Sequence, residues 1–205
     1  MRFLKLMITI SIIFAGLFGD YVVFRSKYSE SQLFRAAADS IVHATIGLLS
    51  AVLFFTNSLN IPLQTCIYYT ILCTVVSSLI DIDHVFVAKS IRLKDLTNLN
   101  QRGIFHCTTF WLVVTTILLV YSYTVKKLNT CILTYMLILA FTSHHLRDAN
   151  RRGLWLYPFG HTAAINKYVY VILSAVLPYV FAYAYVCTKQ LMNVKHYYSH
   201  LIETV

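Results

Sequence analysis

Long apolar segments alternate with short polar connections along the whole chain. A helix needs about 20 mostly apolar residues to cross a bilayer, and six segments reach or approach that length. Only three prolines and six glycines occur, so no flexible linker divides the chain. The pattern predicts one all-α integral-membrane domain over residues 1–205, a multi-pass transmembrane helical bundle with spans at 6–24, 36–55, 61–80, 104–125, 130–145 and 168–186.

The composition agrees with a membrane protein. Hydrophobic residues make up 58% of the chain and charged residues 12%, against about 25% charged in an average soluble domain. Residues 1–24 have the charged start and apolar run of a signal peptide, but no pair of small residues spaced for cleavage follows, and we interpret them as the first span. The five cysteines are scattered without a CxxC pair, which indicates packing residues rather than disulfides.

The net charge of +9 comes from basic residues in the connections between spans. The first, third and fifth connections hold more Lys and Arg than the other connections and termini together, so the positive-inside rule predicts that these three connections are cytosolic. No soluble basic patch with interleaved aromatics occurs, which argues against nucleic-acid binding. The expected partners are membrane lipids, and the sequence identifies no protein partner.

Ionisable residues gather where the spans begin or end. The third span runs into Asp81-Ile82-Asp83-His84, and acids two apart do not face one another on a helix. Either the helix therefore unwinds here, or one acid binds a ligand while the other orients it. Such residues at membrane depth cost roughly 2.5–3.5 kcal/mol each at a helix centre, so they require a partner or an ion.

Further acids and histidines lie at three other span ends. Asp39 and His43 are four apart near the start of the second span, His106 opens the fourth, and His144 and Asp148 are four apart at the end of the fifth. If the spans alternate in direction, all these positions lie at one membrane face. Imidazole and carboxylate donors suit a divalent metal ion such as zinc, manganese or iron.

The sequence therefore predicts one or two metal ions beside a set of catalytic side chains. Asp81 or His84 would orient a ligand or transfer a proton, and a neighbouring arginine would stabilise a developing oxyanion. The predicted metal ligands are His43, Asp83, His106, His144 and Asp148. The predicted catalytic residues are Asp81, His84, Arg102 and Arg147.

Two connections are expected to lie at the membrane surface. The polar stretch 88–100 predicts a short interfacial helix. Residues 149–161 predict an interfacial or re-entrant segment, because Pro158 and Gly160 exclude an uninterrupted helix.

Four motifs resemble one known family. DIDH at 81–84, QRGIFHC at 101–107, HHLRD at 144–148 and GLWLYPF at 153–159 are similar to the DxDH, HRGxTHS, HxxxD and Gly…Pro-Phe pattern of the YdjM-like inner-membrane family, which is described as metal-dependent hydrolases. The resemblance implies a metal site and, through the family's animal members, a eukaryotic endomembrane. Gln101, Phe105 and Cys107 stand where the family has His, Thr and Ser. The matching positions are His43, Asp81, Asp83, His84, Arg102, Gly103, His106, His144 and Asp148.

Three hypotheses for function follow from these residues. The first is a metal-dependent membrane hydrolase acting on a lipid-borne phosphate or ester. The second is a non-catalytic membrane protein that keeps the metal cluster as a structural or partner-binding site, with Gln101, Phe105 and Cys107 marking a lost reaction. The third is an ion or proton transporter, which would need polar residues through the bilayer rather than at one face.

Overall fold

The computed structural model describes residues 2–57, 60–97 and 101–203, with side chains up to Met192 except for Thr97. This part of the chain is an all-α helical bundle with a short hairpin near its end, which confirms the predicted fold class. In chain order the helices are α1 (Arg2–Arg25), α2 (Gln32–Phe55), α3 (Leu63–Leu79), α4 (Asp83–Ala88), α5 (Leu93–Thr97), α6 (Thr108–Val125), α7 (Leu128–Arg152) and α8 (Lys167–Glu203).

The long helices correspond to the predicted spans. Within the described residues, α1, α2, the segment from α3 through α4, α6 and α8 are long and apolar enough to cross a membrane. The predicted fifth span lies within α7, whose last third carries the His, Arg and Asp residues of the HHLRD motif. The protein is thus an integral, multi-pass membrane protein.

Helix α7 lies at the centre of the bundle. It packs against α2, α3, α6 and α8, and its buried residues include Met136 and Leu139. With Phe54 of α2 and Tyr185 of α8 they form the main hydrophobic core. Large apolar side chains such as Tyr68 point outward, as expected for helices that face lipid.

Helix α3 ends within one residue of the predicted boundary at 80, whereas α6 begins later than the predicted 104. Helix α3 ends at Leu79, and Ile80–Ile82 form a 3-10 turn before α4 begins at Asp83. The α-helix is thus interrupted at the DxDH motif by a tighter turn, whereas the sequence left open that the helix unwinds or that the two acids have different roles. Helix α6 begins at Thr108 instead of Ile104, because Ile104–His106 form a separate 3-10 turn.

The segment after α7 is a small β-hairpin. Gly153 ends the helix with φ +70°, and a Cβ at this position would meet the Thr162 carbonyl oxygen at 1.9 Å. Strand β1 (Trp155–Leu156) then pairs antiparallel with strand β2 (Gly160–His161). The predicted interruption of helix in 149–161 is confirmed from Gly153 onward, whereas residues 149–152 still belong to α7.

The connection between the third and fourth spans contains the expected short helix. Helix α5 covers Leu93–Thr97, and residues 98–100 at the end of the predicted stretch lie outside the described residues. The five cysteines are all free, as predicted.

Candidate metal centre

Four side chains from three parts of the chain meet at one end of the bundle. Asp81 comes from the 3-10 turn after α3, His106 from the turn before α6, and His144 and Asp148 from α7. Each offers one nitrogen or oxygen atom, and these four atoms lie within 4.8 Å of one another. The helix ends that the sequence placed at one face are therefore in contact.

The separations between these atoms match a metal coordination shell. His106 Nε2 lies 3.1 Å from Asp81 Oδ1, 3.4 Å from His144 Nε2 and 3.5 Å from Asp148 Oδ2. His144 Nε2 lies 3.6 Å from Asp81 Oδ1 and 3.9 Å from Asp148 Oδ2. A tetrahedral ion with bonds of about 2.0–2.2 Å separates its ligand atoms by roughly 3.3–3.6 Å, so the four donors fit such an ion.

Both histidines are oriented so that Nε2 faces the common point. His144 Nδ1 donates to the Ser77 carbonyl oxygen at 2.8 Å, which leaves the lone pair on Nε2. His106 Nδ1 lies 3.1 Å from both oxygens of Asp83, and a proton on Nδ1 likewise leaves the Nε2 lone pair free. Metal-binding histidines usually have a carbonyl or carboxylate partner of this kind, which fixes the ring and its tautomer.

The loop that carries His106 is held by its backbone. Phe105 N–H donates to Asp83 Oδ2 at 3.0 Å, and the Phe105 carbonyl accepts from Trp111 Nε1 at 2.7 Å and His145 Nε2 at 2.9 Å. Gly103 packs directly on the same carboxylate, where a Cβ would lie 2.2 Å from Asp83 Oδ2. Asp83 therefore positions the loop as well as the His106 ring.

The electrostatic environment of His106 favours a positive charge. Its burial by itself would lower the pKa, but the carboxylates that it contacts, Asp148 foremost, raise the pKa of His106 to about 11. A proton on the ring and a metal ion beside it compete for the same stabilisation. The carboxylates thus provide a binding place for a cation at this point.

A second group of donors adjoins the first. Asp39, His43 and Asp81 each offer an atom within 4.8 Å of the others. The His43 ring stacks on that of His144 with centroids 3.8 Å apart, and its Nε2 lies 3.7 Å from Asp148 Oδ1. His43 is buried, and no described side chain or backbone group forms a hydrogen bond with either of its ring nitrogens.

Arg147 lies behind these groups in an ion-pair network of its own. Its Nε donates to Asp20 Oδ1 at 3.1 Å, and its Nη1 lies 2.7 Å from Asp39 Oδ1. Asp20 also accepts a hydrogen bond from the Tyr170 hydroxyl. This network connects α1, α2, α7 and α8 through a guanidinium group that is almost completely buried.

The structure brings nearly all the predicted site residues together but distributes their positions differently. Asp81, predicted as an orienting or proton-transfer group, lies among the four donor atoms. Asp83, predicted as a ligand, lies outside that set and contacts Nδ1 of His106, but with His84 and His106 it forms a separate group of possible donors within 4.8 Å of one another. His84 and Arg102 border a cavity beside the donors. Arg147 lies outside that cavity, because Asp20 and Asp39 hold its guanidinium group.

Two supporting residues are not among the predicted site residues. Asp20 is the partner of the buried Arg147, and the 127 residues that separate them leave no signal in spacing. His145 supports the His106 loop through the Phe105 carbonyl. Its position next to His144 was the only signal for that role.

The family model of the YdjM inner membrane protein matches residues 39–200, which include every donor of the centre. The chain belongs to the YdjM inner membrane protein family. As a YdjM-family member, it carries Asp39, His43 and the three motifs of the centre inside the region that defines the family, whereas Asp20 lies outside it.

Relatives with one shared name align over most of this YdjM-family chain. Transmembrane protein 267 of Xenopus laevis is 37% identical over 188 residues, covering 88% of this chain and 85% of the relative. The proteins of that name from Bos taurus and Mus musculus are 36% and 31% identical, and each match covers 82% of this chain and 77% of the relative. No solved structure matches the chain.

Proposed function

We propose that this YdjM-family protein is a metal-dependent hydrolase that acts on a phosphate or ester carried by a membrane lipid, with phosphate the preferred group. The observation that carries the proposal is the convergence of four donor atoms, from Asp81, His106, His144 and Asp148, beside an arginine-lined cavity. Two neutral imidazoles and two carboxylates suit zinc, manganese or iron. A divalent ion held there would lower the pKa of a bound water toward about 7 and so supply a nucleophile at neutral pH.

His84 is the candidate for proton transfer. Its Nε2 lies 3.9 Å from Asp81 Oδ1, its side chain is 31% exposed, and it borders the cavity rather than the protein interior. An imidazole in this position can exchange protons with water and with a leaving group. Asp81, one of the four donors, lies next to His84 and would hold the His84 ring toward the reacting group.

The cavity beside the donors favours an anionic substrate. Its volume is about 450 Å³, within the range of small-molecule sites. Four arginines line it, Arg35, Arg102, Arg151 and Arg152, and of these only Arg151 forms an ion pair with a described carboxylate. Guanidinium groups match the geometry of phosphate oxygens, so a phosphate ester fits this cavity better than a neutral acyl ester.

Arg102 is the arginine best placed to contact such an anion. Its Nη1 donates to the Gly153 carbonyl at 3.1 Å, whereas Nη2 is buried without a hydrogen-bond partner among the described residues. Burial lowers the pKa of Arg102, and the neighbouring Arg152 and Arg151 add to the effect. An incoming phosphate would relieve this repulsion and satisfy the free donor, so we assign the oxyanion-stabilising role to Arg102 in preference to Arg147.

A lipid-borne substrate is supported by the apolar part of the same cavity. Phe24 at the end of α1 and Leu93 and Leu96 of α5 line it together with the arginines. Phe24 lies near the end of a candidate span, and Leu93 and Leu96 lie on the short helix that connects two spans, so the three residues would lie where a lipid headgroup meets its acyl chains. The phosphate of such a lipid could reach the arginines while its chains stay in the bilayer.

The test uses protein purified in detergent and loaded with zinc or manganese. We expect release of inorganic phosphate from dioctanoyl phosphatidate in mixed micelles and much slower release of fatty acid from dioctanoylglycerol. His144→Ala should abolish the release, and Arg102→Gln should raise KM, while Arg92→Gln, which changes an exposed arginine outside the cavity, should leave both constants unchanged. Folded, metal-loaded wild-type protein that hydrolyses neither lipid would overturn the proposal.

The burial of the donors favours a second candidate function, a metal cluster that serves as a structural or partner-binding site. His106 and His144 are almost inaccessible, and the cluster ties α3, α7 and the loop before α6 together. The two functions separate on mutation of one ligand. His106→Ala should lower protein abundance if the cluster is structural, but should leave folded protein without turnover if it is catalytic. A transporter is less well supported, because the donors gather at one end of the helices.

A further inference from the structure

We infer that the centre takes a second divalent cation next to the ion that Asp81, His106, His144 and Asp148 would hold. The ligands of the second cation are His43, Asp39, Asp81 and Oδ1 of Asp148. The inference extends the metal centre described above but does not require hydrolysis. It would make Asp81 and Asp148 carboxylates shared between two ions, in a site that neither the family match nor the relatives' names assign.

His43 is a buried histidine without a hydrogen-bond partner among the described residues. Its side chain is 1% exposed, yet neither ring nitrogen has a hydrogen-bond partner among the described residues. Buried polar groups without a partner are rare, and each needs an explanation such as an ion. The Nε2 atom points toward two carboxylates, at 3.7 Å from Asp148 Oδ1 and 3.9 Å from Asp39 Oδ2. These distances are too long for hydrogen bonds but suitable for atoms that share an ion.

The two oxygens of Asp148 face different groups of donors. Oδ2 faces the first set of donors, at 3.5 Å from His106 Nε2, whereas Oδ1 faces His43. Asp81 belongs to both groups of converging donors. Carboxylates placed in this way are suited to bridge two metal ions, which lie about 3.5–4 Å apart in enzymes that cleave phosphate esters.

The charge of the region supports a second ion. Five carboxylates meet here, and two arginines form ion pairs with them, which leaves an excess of three negative charges while the histidines are neutral. One divalent ion leaves the region negative, whereas two make it slightly positive and able to attract an anionic group. The carboxylates are those of Asp20, Asp39, Asp81, Asp83 and Asp148, and the arginines are Arg147 and Arg151.

Two arginines already contact the proposed ligands, and both leave room for the ion. Arg147 Nη1 contacts Oδ1 of Asp39, whereas Oδ2, the oxygen that faces His43, has only a longer contact with an arginine, at 3.8 Å from Arg151 Nη2. Arg151 Nη2 lies 2.8 Å from Asp148 Oδ1, but its side chain is 35% exposed at the edge of the cavity and can move toward solvent. An oxygen of a carboxylate can also accept from an arginine while it binds a metal.

Metal stoichiometry in the full-length protein tests the inference. Protein in detergent is stripped with a chelator, saturated with Mn²⁺, desalted and analysed for manganese per chain, and its electron paramagnetic resonance spectrum is recorded. We expect two ions and a spin-coupled spectrum in the wild type. His43→Ala should lose one of the two ions and give the six-line spectrum of isolated Mn²⁺, and His161→Ala, which changes a histidine on the hairpin, should keep two coupled ions.

Each outcome supports or contradicts the second ion. One ion per chain with an uncoupled spectrum in the saturated wild type would overturn the inference, and so would two coupled ions in folded His43→Ala. If His43→Ala does not yield monodisperse protein, the wild-type stoichiometry and spectrum carry the test alone. Hydrolysis by protein with a single ion would support the proposed function and contradict the second ion. Two coupled ions without hydrolysis would support the second ion and contradict the proposed function.

Discussion

The substitution Asp83→Asn tests whether Asp83 orients a ligand or is one. The buried carboxylate accepts from Phe105 N–H at 3.0 Å and contacts His106 Nδ1 at 3.1 Å through both oxygens. Asparagine keeps the shape but has a single, uncharged oxygen, which Phe105 N–H and His106 Nδ1 must share. An amide NH2 donor replaces the second oxygen that contacts His106 Nδ1, so the carboxylate no longer fixes the tautomer and orientation of the His106 ring.

The expected magnitude follows from this role. Removing a carboxylate that supports a metal-binding histidine costs about 10–100-fold in metal affinity, or about 1.4–2.8 kcal/mol. The weakened contacts to the loop should cost about 1 kcal/mol of folding stability as well. Asp81→Asn, which removes a direct ligand, should weaken binding by more than Asp83→Asn does.

Competition with a zinc-binding dye in detergent measures these affinities. Asp95→Asn is the matched control, because Asp95 is exposed in α5, accepts a hydrogen bond from the Ser90 hydroxyl and belongs to none of the donor groups. Its affinity should equal that of the wild type. If Asp83→Asn weakens binding more than Asp81→Asn, then Asp83 is the ligand, as the sequence alone suggested, and the geometric argument fails.

Three further predictions concern the supports of the centre and the ion itself. Arg147→Met leaves the carboxylates of Asp20 and Asp39 without their partner and should destabilise the protein by about 3–5 kcal/mol, measured by unfolding in detergent; a change below 1 kcal/mol would contradict this. Gly103→Ala should displace the loop from Asp83 and abolish stoichiometric metal binding in protein that still elutes as a monodisperse peak. Chelation should lower the melting temperature of the wild type, and readdition of zinc should restore it, since an ion that binds only the folded state stabilises it; an unchanged temperature would argue against a resident ion.

Hydrophobic patterning was sufficient for the architecture because a bilayer restricts spanning segments to helices of known length. It was insufficient at the motif ends. The predicted end at 80 lies one residue from the end of α3, whereas α6 begins four residues after the predicted 104. Ile80–Ile82 and Ile104–His106 are 3-10 turns inside apolar sequence, and apolarity does not distinguish a 3-10 turn from an α-helix. The convergence of the four helix ends followed from alternation of direction alone.

The roles of individual side chains could be predicted only in part. Spacing placed His144 and Asp148 on one face of α7, which the structure retains. Spacing could not decide between Asp81 and Asp83, because the choice depends on how the 3-10 turn rotates each carboxylate relative to a loop that lies 20 residues further on. The ion pairs of Arg147 with Asp20 and Asp39 could not be predicted for a similar reason, since no local pattern shows which neighbouring helix covers its face of α7.

Three residues, Gln101, Phe105 and Cys107, differ from the family motif, and none of them is a donor of the centre. Phe105, which replaces the family's Thr, serves the centre through its backbone N–H and carbonyl, so the missing hydroxyl affects neither contact. Cys107 is buried at the start of α6, where it makes no side-chain cap. Gln101 borders the arginine-lined cavity, where an amide can still contact a substrate. The substitutions thus leave the donor set intact.

The peripheral position of α6 has a mechanical consequence. This helix is the least buried of the candidate spans: 11% of its apolar stretch is buried, against 39% for α2 and α8, and α7 is its main neighbour among the long helices. His106 lies two residues before Thr108, the first residue of α6, so a sideways tilt of α6 in the bilayer would move this imidazole away from the other donors. Lateral pressure and bilayer thickness would thereby act directly on whether the donor set is assembled.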